Sequence, residues 1–152
     1  MTGDPRLVTA APFAVIGGAC VVAGGLVAAA TASVPTEHGA WVAAYLVLVG
    51  GVAQLSLGAG QAYLAAHPPA PGLVAFEVVA WNAGSAAVIA GTLLGVVPLV
   101  DAGGAALLLA LAALLLSVRG APARGGWWRY AYRLFAVVIA VSVPVGLVLA
   151  RI

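Results

Sequence analysis

The sequence predicts an all-α polytopic integral membrane protein: five transmembrane helices in a compact bundle, forming a single domain over residues 1–152. Three observations predict it. Only 7% of the residues are charged, 64% are hydrophobic, and the mean hydropathy is +1.18. Six arginines and four acidic residues supply all the charge and there is no lysine, too little to cover a soluble domain of this length. The apolar runs are long, with no charge at all between Asp101 and Arg119, and they lack the period-two alternation of a membrane barrel. In hydrocarbon every backbone N–H and C=O must pair within its own segment, so such runs become helices.

Punctuation divides the chain. The first span is read over 7–32, ended by Ser33-Val34-Pro35-Thr36. It is too long for the apolar core of a cleaved leader, so a retained helix is expected. The second span is read over 39–66, with Thr36 placed to cap it, Glu37 favouring its dipole, and the run His67-Pro68-Pro69 stopping it. The third is read over 73–100. Asp101-Ala102-Gly103-Gly104 predicts a tight turn into the fourth, 103–118. A basic, aromatic loop over 119–133 then leads to the fifth, 134–150. There Pro144 removes one helical hydrogen bond and predicts a bend, with Ser142 placed to compensate in part.

Arginine placement orients the bundle. With five spans, Arg6, Arg119, Arg124, Arg129 and Arg133 share one side, and only Arg151 lies on the other. The positive-inside rule puts the N-terminus in the cytoplasm and the C-terminus outside. Trp127, Trp128, Tyr130, Tyr132 and Phe135 fit an interfacial belt at the cytoplasmic boundary, with Trp41 and Tyr45 at the outer one. Beside a membrane span this basic-aromatic stretch reads as an anchor, and no nucleic-acid partner is expected.

Membrane helices associate through small residues that let backbones approach. At 100° per residue, Ala14, Gly17, Val21, Gly24, Gly25 and Ala28 share a face of the first span. Gly50, Gly51, Gln54, Gly58 and Gln61 do so in the second, and Glu77, Trp81, Gly84, Val88, Gly91 and Gly95 in the third. In the fourth, Ala106, Ala110, Ala113 and Ser117 line up, with Leu108, Leu111 and Leu115 opposite.

Glu77 stands out as the carboxylate inside an apolar run, where a charge is costly. The short connection 67–72 makes the second and third spans an antiparallel hairpin. Matching depth then sets Glu77 level with Gln61, and Ser85 level with Gln54. A polar seam is therefore expected over Glu77, Gln61, Gln54, Ser85 and Trp81. Arg133 is the expected charge partner, with Arg119 second. Asn82 points off the Glu77 face and, with Tyr63, is a candidate for contact with a partner protein. Structural glue between helices is the preferred reading of the seam; a proton or ligand site is the other.

His38 and His67 lie 29 residues apart, roughly 43 Å along a helix, and cannot share a metal. Cys20 is a lone thiol that reads as a small packing residue. No catalytic motif occurs, and no metal site or cofactor is expected. The leading expectation is a non-catalytic accessory or structural subunit of a larger bacterial complex, respiratory or transport. Its partners would be the lipid bilayer and other membrane subunits. Abundant Ala, Gly, Val and Arg without lysine suggest a GC-rich bacterial genome, hence a multi-pass location in the inner (plasma) membrane. The alternative is a small oligomeric transporter or channel with Glu77 as the coupling carboxylate. The third is a haem- or quinone-associated protein.

Overall fold

Asp4 and Pro5 start the first helix. The Asp4 carboxylate accepts the Arg6 backbone N–H at 3.0 Å, and Pro5 occupies the first turn, where a missing N–H costs nothing. In the computed structural model, which describes residues 4–119 and 126–149, α1 then runs over Pro5–Thr31. Thr36 caps α2, Glu37–Leu64, by accepting the Gly39 N–H at 3.1 Å. The middle of α2, Leu46–Ala53, is π-helical. The remaining helices are α3, Pro71–Leu94; α4, Val97–Ser117; and α5, Gly126–Leu149. All five are long and apolar enough to cross a membrane, and no strand occurs among the described residues.

Successive helices run antiparallel. The bundle therefore has an Arg6 end, shared with the α2–α3 connection and the start of α5, and a Glu37 end, shared with the α3–α4 turn. Small residues set the two tightest seams. Between α1 and α2, a Cβ on Gly24 would meet the Ala43 carbonyl oxygen at 2.9 Å, and one on Gly17 would meet that of Gly51 at 3.2 Å. Between α3 and α4, a Cβ on Gly84 would lie 2.8 Å from the Gly103 carbonyl oxygen, and one on Gly103 would lie 2.6 Å from that of Gly84. The core fills the space among α2, α3, α4 and α5 with Leu57, Trp81, Leu107, Ala110, Leu111 and Leu114; Phe13 joins it from α1.

Several boundaries differ from the sequence reading. The turn between the third and fourth helices is at Gly95–Val96, not at Asp101–Gly104. Gly95 adopts φ +69, a left-handed conformation that glycine tolerates best, and the Val96 N–H reaches back to the Gly91 carbonyl at 2.8 Å. Pro98 lies in the first turn of α4. Glycine at a stop and proline at a start outweigh the Asp-Ala-Gly-Gly string. Gly103 and Gly104 are buried inside α4, where Gly103 serves helix packing and not a turn. The expected loop over 119–133 is also shorter, because Gly126 to Arg133 is already helical. Residues 120–125, with Arg124, and residues 150–152, with Arg151, lie outside the described residues. On α4 the buried stripe is Gly103, Gly104, Leu107, Ala110, Leu111 and Leu114, so Leu111 faces inward, against its expected outward position. Gly91 packs against Val96 and Val100, at the start of α4.

The glycines should differ sharply in tolerance. Gly84→Val should destabilise the bundle by about 1–3 kcal/mol, since backbone and not a flexible side chain stands in the way. Gly25→Ala, with nothing within 4 Å of its Cβ, should change stability by less than about 0.5 kcal/mol. Unfolding titrations in mixed micelles would measure both.

Candidate functional site

Two helical faces carry the polar residues inward. On α3, Val74, Glu77, Val78 and Trp81 are all buried, which is one stripe at helical spacing. On α2 the matching stripe is Gln54, Leu57, Gln61 and Leu64. The hairpin closes these stripes on each other, and Gln61 and Glu77 end up fully buried, each at 0% exposure. The Gln61 amide nitrogen donates to both oxygens of Glu77, at 2.9 and 2.8 Å, and to the Ser117 hydroxyl at 2.9 Å. Ser117 in turn donates to the Leu114 carbonyl at 2.7 Å. An amide carries two hydrogens. One is shared by the two carboxylate oxygens and the other goes to Ser117, so a single side chain ties α2 to α3 and α4.

Other polar groups extend this cluster along the hairpin. Both amide atoms of Gln54, the Gln61 carbonyl oxygen, and the hydroxyls of Ser85, Tyr45 and Tyr132 are buried with no hydrogen-bond partner among the described residues. Tyr45 approaches Ser85 without good hydrogen-bond geometry. Tyr132 lies within electrostatic reach of Glu77, its ring filling the space that a Cβ on Gly60 would need. Tyr45 and Ser85 lie toward the Glu37 end, Gln61 meets Glu77 and Ser117 nearer the Arg6 end, and Tyr132 stands beside Gly60, the neighbour of Gln61. Beside this cluster the π segment of α2 presents its Val49 carbonyl to the indole N–H of Trp81 at 3.2 Å. π-helical turns run i to i+5 and are frequent where a helix is reshaped for a function.

Two cavities flank the cluster. The larger, about 610 Å³, lies among α2, α3, α4 and α5, reaching from Glu37 and Trp41 down to Val49 and Trp81. The second, about 530 Å³, lies between α2 and α5 toward the Arg6 end, lined by Gly60, Tyr63, Trp128, Tyr132 and Phe135.

The structure brings together Gln61 and Glu77, and it buries Gln54, Ser85 and Trp81 on the same hairpin. It does not bring in the arginines. Among the described residues no cation pairs with Glu77, and Arg133 and Arg119 are both exposed. Helix phase explains Arg133: α5 turns Tyr132 and Ala136 inward, and the next position is rotated about 100° away. Arg119 lies just past the end of α4, where a guanidinium stays hydrated. Asn82 is half-buried and bonds back to the Val78 carbonyl of its own helix at 2.8 Å. Tyr63 is 59% exposed beside the second cavity. Ser117, Tyr132 and Tyr45 are the members that sequence reasoning missed. In the sequence Ser117 reads only as part of a packing stripe, and the two tyrosines as boundary residues. Among the described residues no group of three His, Cys, Asp or Glu side chains is placed to hold a metal ion.

The fold and cluster define an all-helical bundle of five membrane-length helices around a buried carboxylate. Comparison with protein families, curated proteins and solved structures returns no match.

The central pair should be measurable. Gln61→Leu removes both Glu77 hydrogen bonds and should cost about 1–3 kcal/mol; Ser117→Ala should cost less, about 1 kcal/mol. A double-mutant cycle of Gln61→Leu with Glu77→Leu, read by unfolding in mixed micelles, should return a coupling of about 0.6–1.7 kcal/mol.

Proposed function

We propose that this protein spans a membrane five times, with the Arg6 end in the cytoplasm, and moves protons by way of Glu77. One observation carries this reading. Among the described residues a carboxylate at 0% exposure has an amide and no cation as its partner, and it sits among buried polar atoms that lack a hydrogen-bond partner there, with a cavity to either side. An ionisable residue inside a membrane bundle marks a functional site by default. Buried polar atoms that protein leaves unsatisfied are met by water, and about three hydrogen bonds hold each such water. Gln54, Ser85 and Tyr132 would place that water on both sides of Glu77. The cluster would then carry protons between the cavities while Gln61 holds the carboxylate in place. Five helices are few for a lone transporter, so an oligomer is the working unit.

Reconstitution tests this directly. Liposomes holding the protein and a trapped pH dye should relax an imposed gradient, and Glu77→Gln should reduce that rate at least about tenfold. Ser117→Ala, which leaves the carboxylate in place, should keep most of it. Equal relaxation with and without the Glu77 carboxylate would sink the reading.

A second reading is favoured by a different observation: the outward faces of α1 and α5. Val15, Val22 and Leu26 on α1 are exposed, as are Tyr130 and the adjacent Trp127 and Trp128, whose ring centroids are 4.4 Å apart. Aromatic residues of this kind anchor interfaces. On this reading the chain is an accessory subunit of a respiratory or transport complex in a bacterial inner membrane. Extracted from its native membrane in mild detergent, it should then migrate within an assembly much larger than itself. Migration as a free chain would count against that.

A further inference from the structure

We propose that the cavity at the Glu37 end is a binding site for an amphipathic organic cation, a bulky apolar body carrying one positive charge. The inference requires the five-helix bundle but not proton movement by way of Glu77. Three aromatic side chains, Trp41, Tyr45 and Trp81, line the cavity, whose volume of about 610 Å³ falls in the range of small-molecule sites. The Trp41 and Tyr45 rings lie 5.3 Å apart at 39°, so they form two walls set at an angle, not one stacked plate. Trp81 is only 1% exposed and its indole N–H is tied to the Val49 carbonyl, which fixes the ring before any ligand arrives. Aromatic faces attract cations by their quadrupole, most strongly where water is excluded.

Charge selects the sign of the ligand. Glu37 is the carboxylate among the described lining residues, and no arginine or histidine is among them. It sits in the first turn of α2, one turn before Trp41. The Tyr45 hydroxyl is a further buried polar group of this lining without a partner among the described residues. An anion of the same shape would meet the Glu37 charge and the negative ring faces. A neutral acyl chain would use the apolar walls and gain nothing from Glu37. The combination of aromatic walls and a carboxylate mouth therefore fits a lipophilic cation over both.

A pair of isosteric ions of opposite charge tests the proposal. Equilibrium dialysis of the purified full chain in a zwitterionic detergent would compare tetraphenylphosphonium with tetraphenylborate. Tetraphenylphosphonium should bind saturably and at least about tenfold more tightly than tetraphenylborate. Glu37→Gln, a change at an exposed position, should shrink that preference to within about threefold, and Trp41→Ala should weaken the cation about tenfold. Equal affinities, non-saturating uptake of both ions, a preference for the borate, or an undiminished preference in Glu37→Gln would each overturn it. Because the readout is binding and not flux, failure here leaves the Glu77 experiment untouched, and the reverse holds too.

Discussion

The bundle depends on how one amide spends two hydrogens. Gln61 presents a single nitrogen to Glu77 on α3 and to Ser117 on α4; Gln61 and Glu77 are fully buried and Ser117 is half-buried. Inside a packed bundle an unsatisfied polar group costs about 1–3 kcal/mol, so keeping these atoms together favours one register of the three helices. Sliding α3 by one turn along α2 would strand the carboxylate against Leu57 or Leu64. Apolar packing alone discriminates poorly between such registers, because the helices are apolar along their whole length.

The small residues serve that same constraint. Close approach at Gly84 and Gly103 brings α4 near enough to α3 for Ser117 to reach the amide, and Gly17 and Gly24 let α1 lie against the far side of α2. The π segment is the remaining adjustment. It contains Gly50 and Gly51, where the absence of side chains lets the wider turn close against Cys20 and Val21 of α1. A wider turn shifts the phase of every residue beyond it. Gly51 within the segment and Gly58 beyond it both meet α1, at Val21 and Phe13, while Gln54 and Gln61 are buried, and the Trp81 indole donates to the segment's Val49 carbonyl.

What the sequence disclosed, and what it hid, has one physical pattern. The α2–α3 hairpin was legible because a proline-rich connection fixes its turn, and depth matching then sets Gln61 opposite Glu77. Ser117 was hidden because the next turn was placed at the Asp-Ala-Gly-Gly string. Moving it back by about seven residues, to Gly95–Val96, changes the antiparallel register of α4 against α3 by about twice that, nearly four helical turns, and brings Ser117 close to the depth of Glu77. The signal was present in Gly95 followed by Pro98. Tyr132 was hidden for a different reason. Five aromatics near a membrane boundary read as a belt, and composition cannot say that one of them packs onto a glycine of another helix. The expected arginine partners failed on solvation: attraction to a buried carboxylate does not repay dehydrating a guanidinium that can reach water.

That glutamine and not arginine meets the carboxylate has a consequence for its chemistry. A guanidinium offers only donors, and would hold Glu77 as an anion. An amide offers a donor and an acceptor on neighbouring atoms, and the Gln61 oxygen has no partner among the described residues. The ionised carboxylate accepts from the amide nitrogen. A half-turn of the amide would bring its oxygen round to accept from the protonated acid. Ser117 can follow, because a hydroxyl that accepts from nitrogen can equally donate to oxygen. The same three side chains thus satisfy both protonation states of Glu77 without moving a helix. The arrangement can therefore hold three helices in one register whichever protonation state Glu77 adopts.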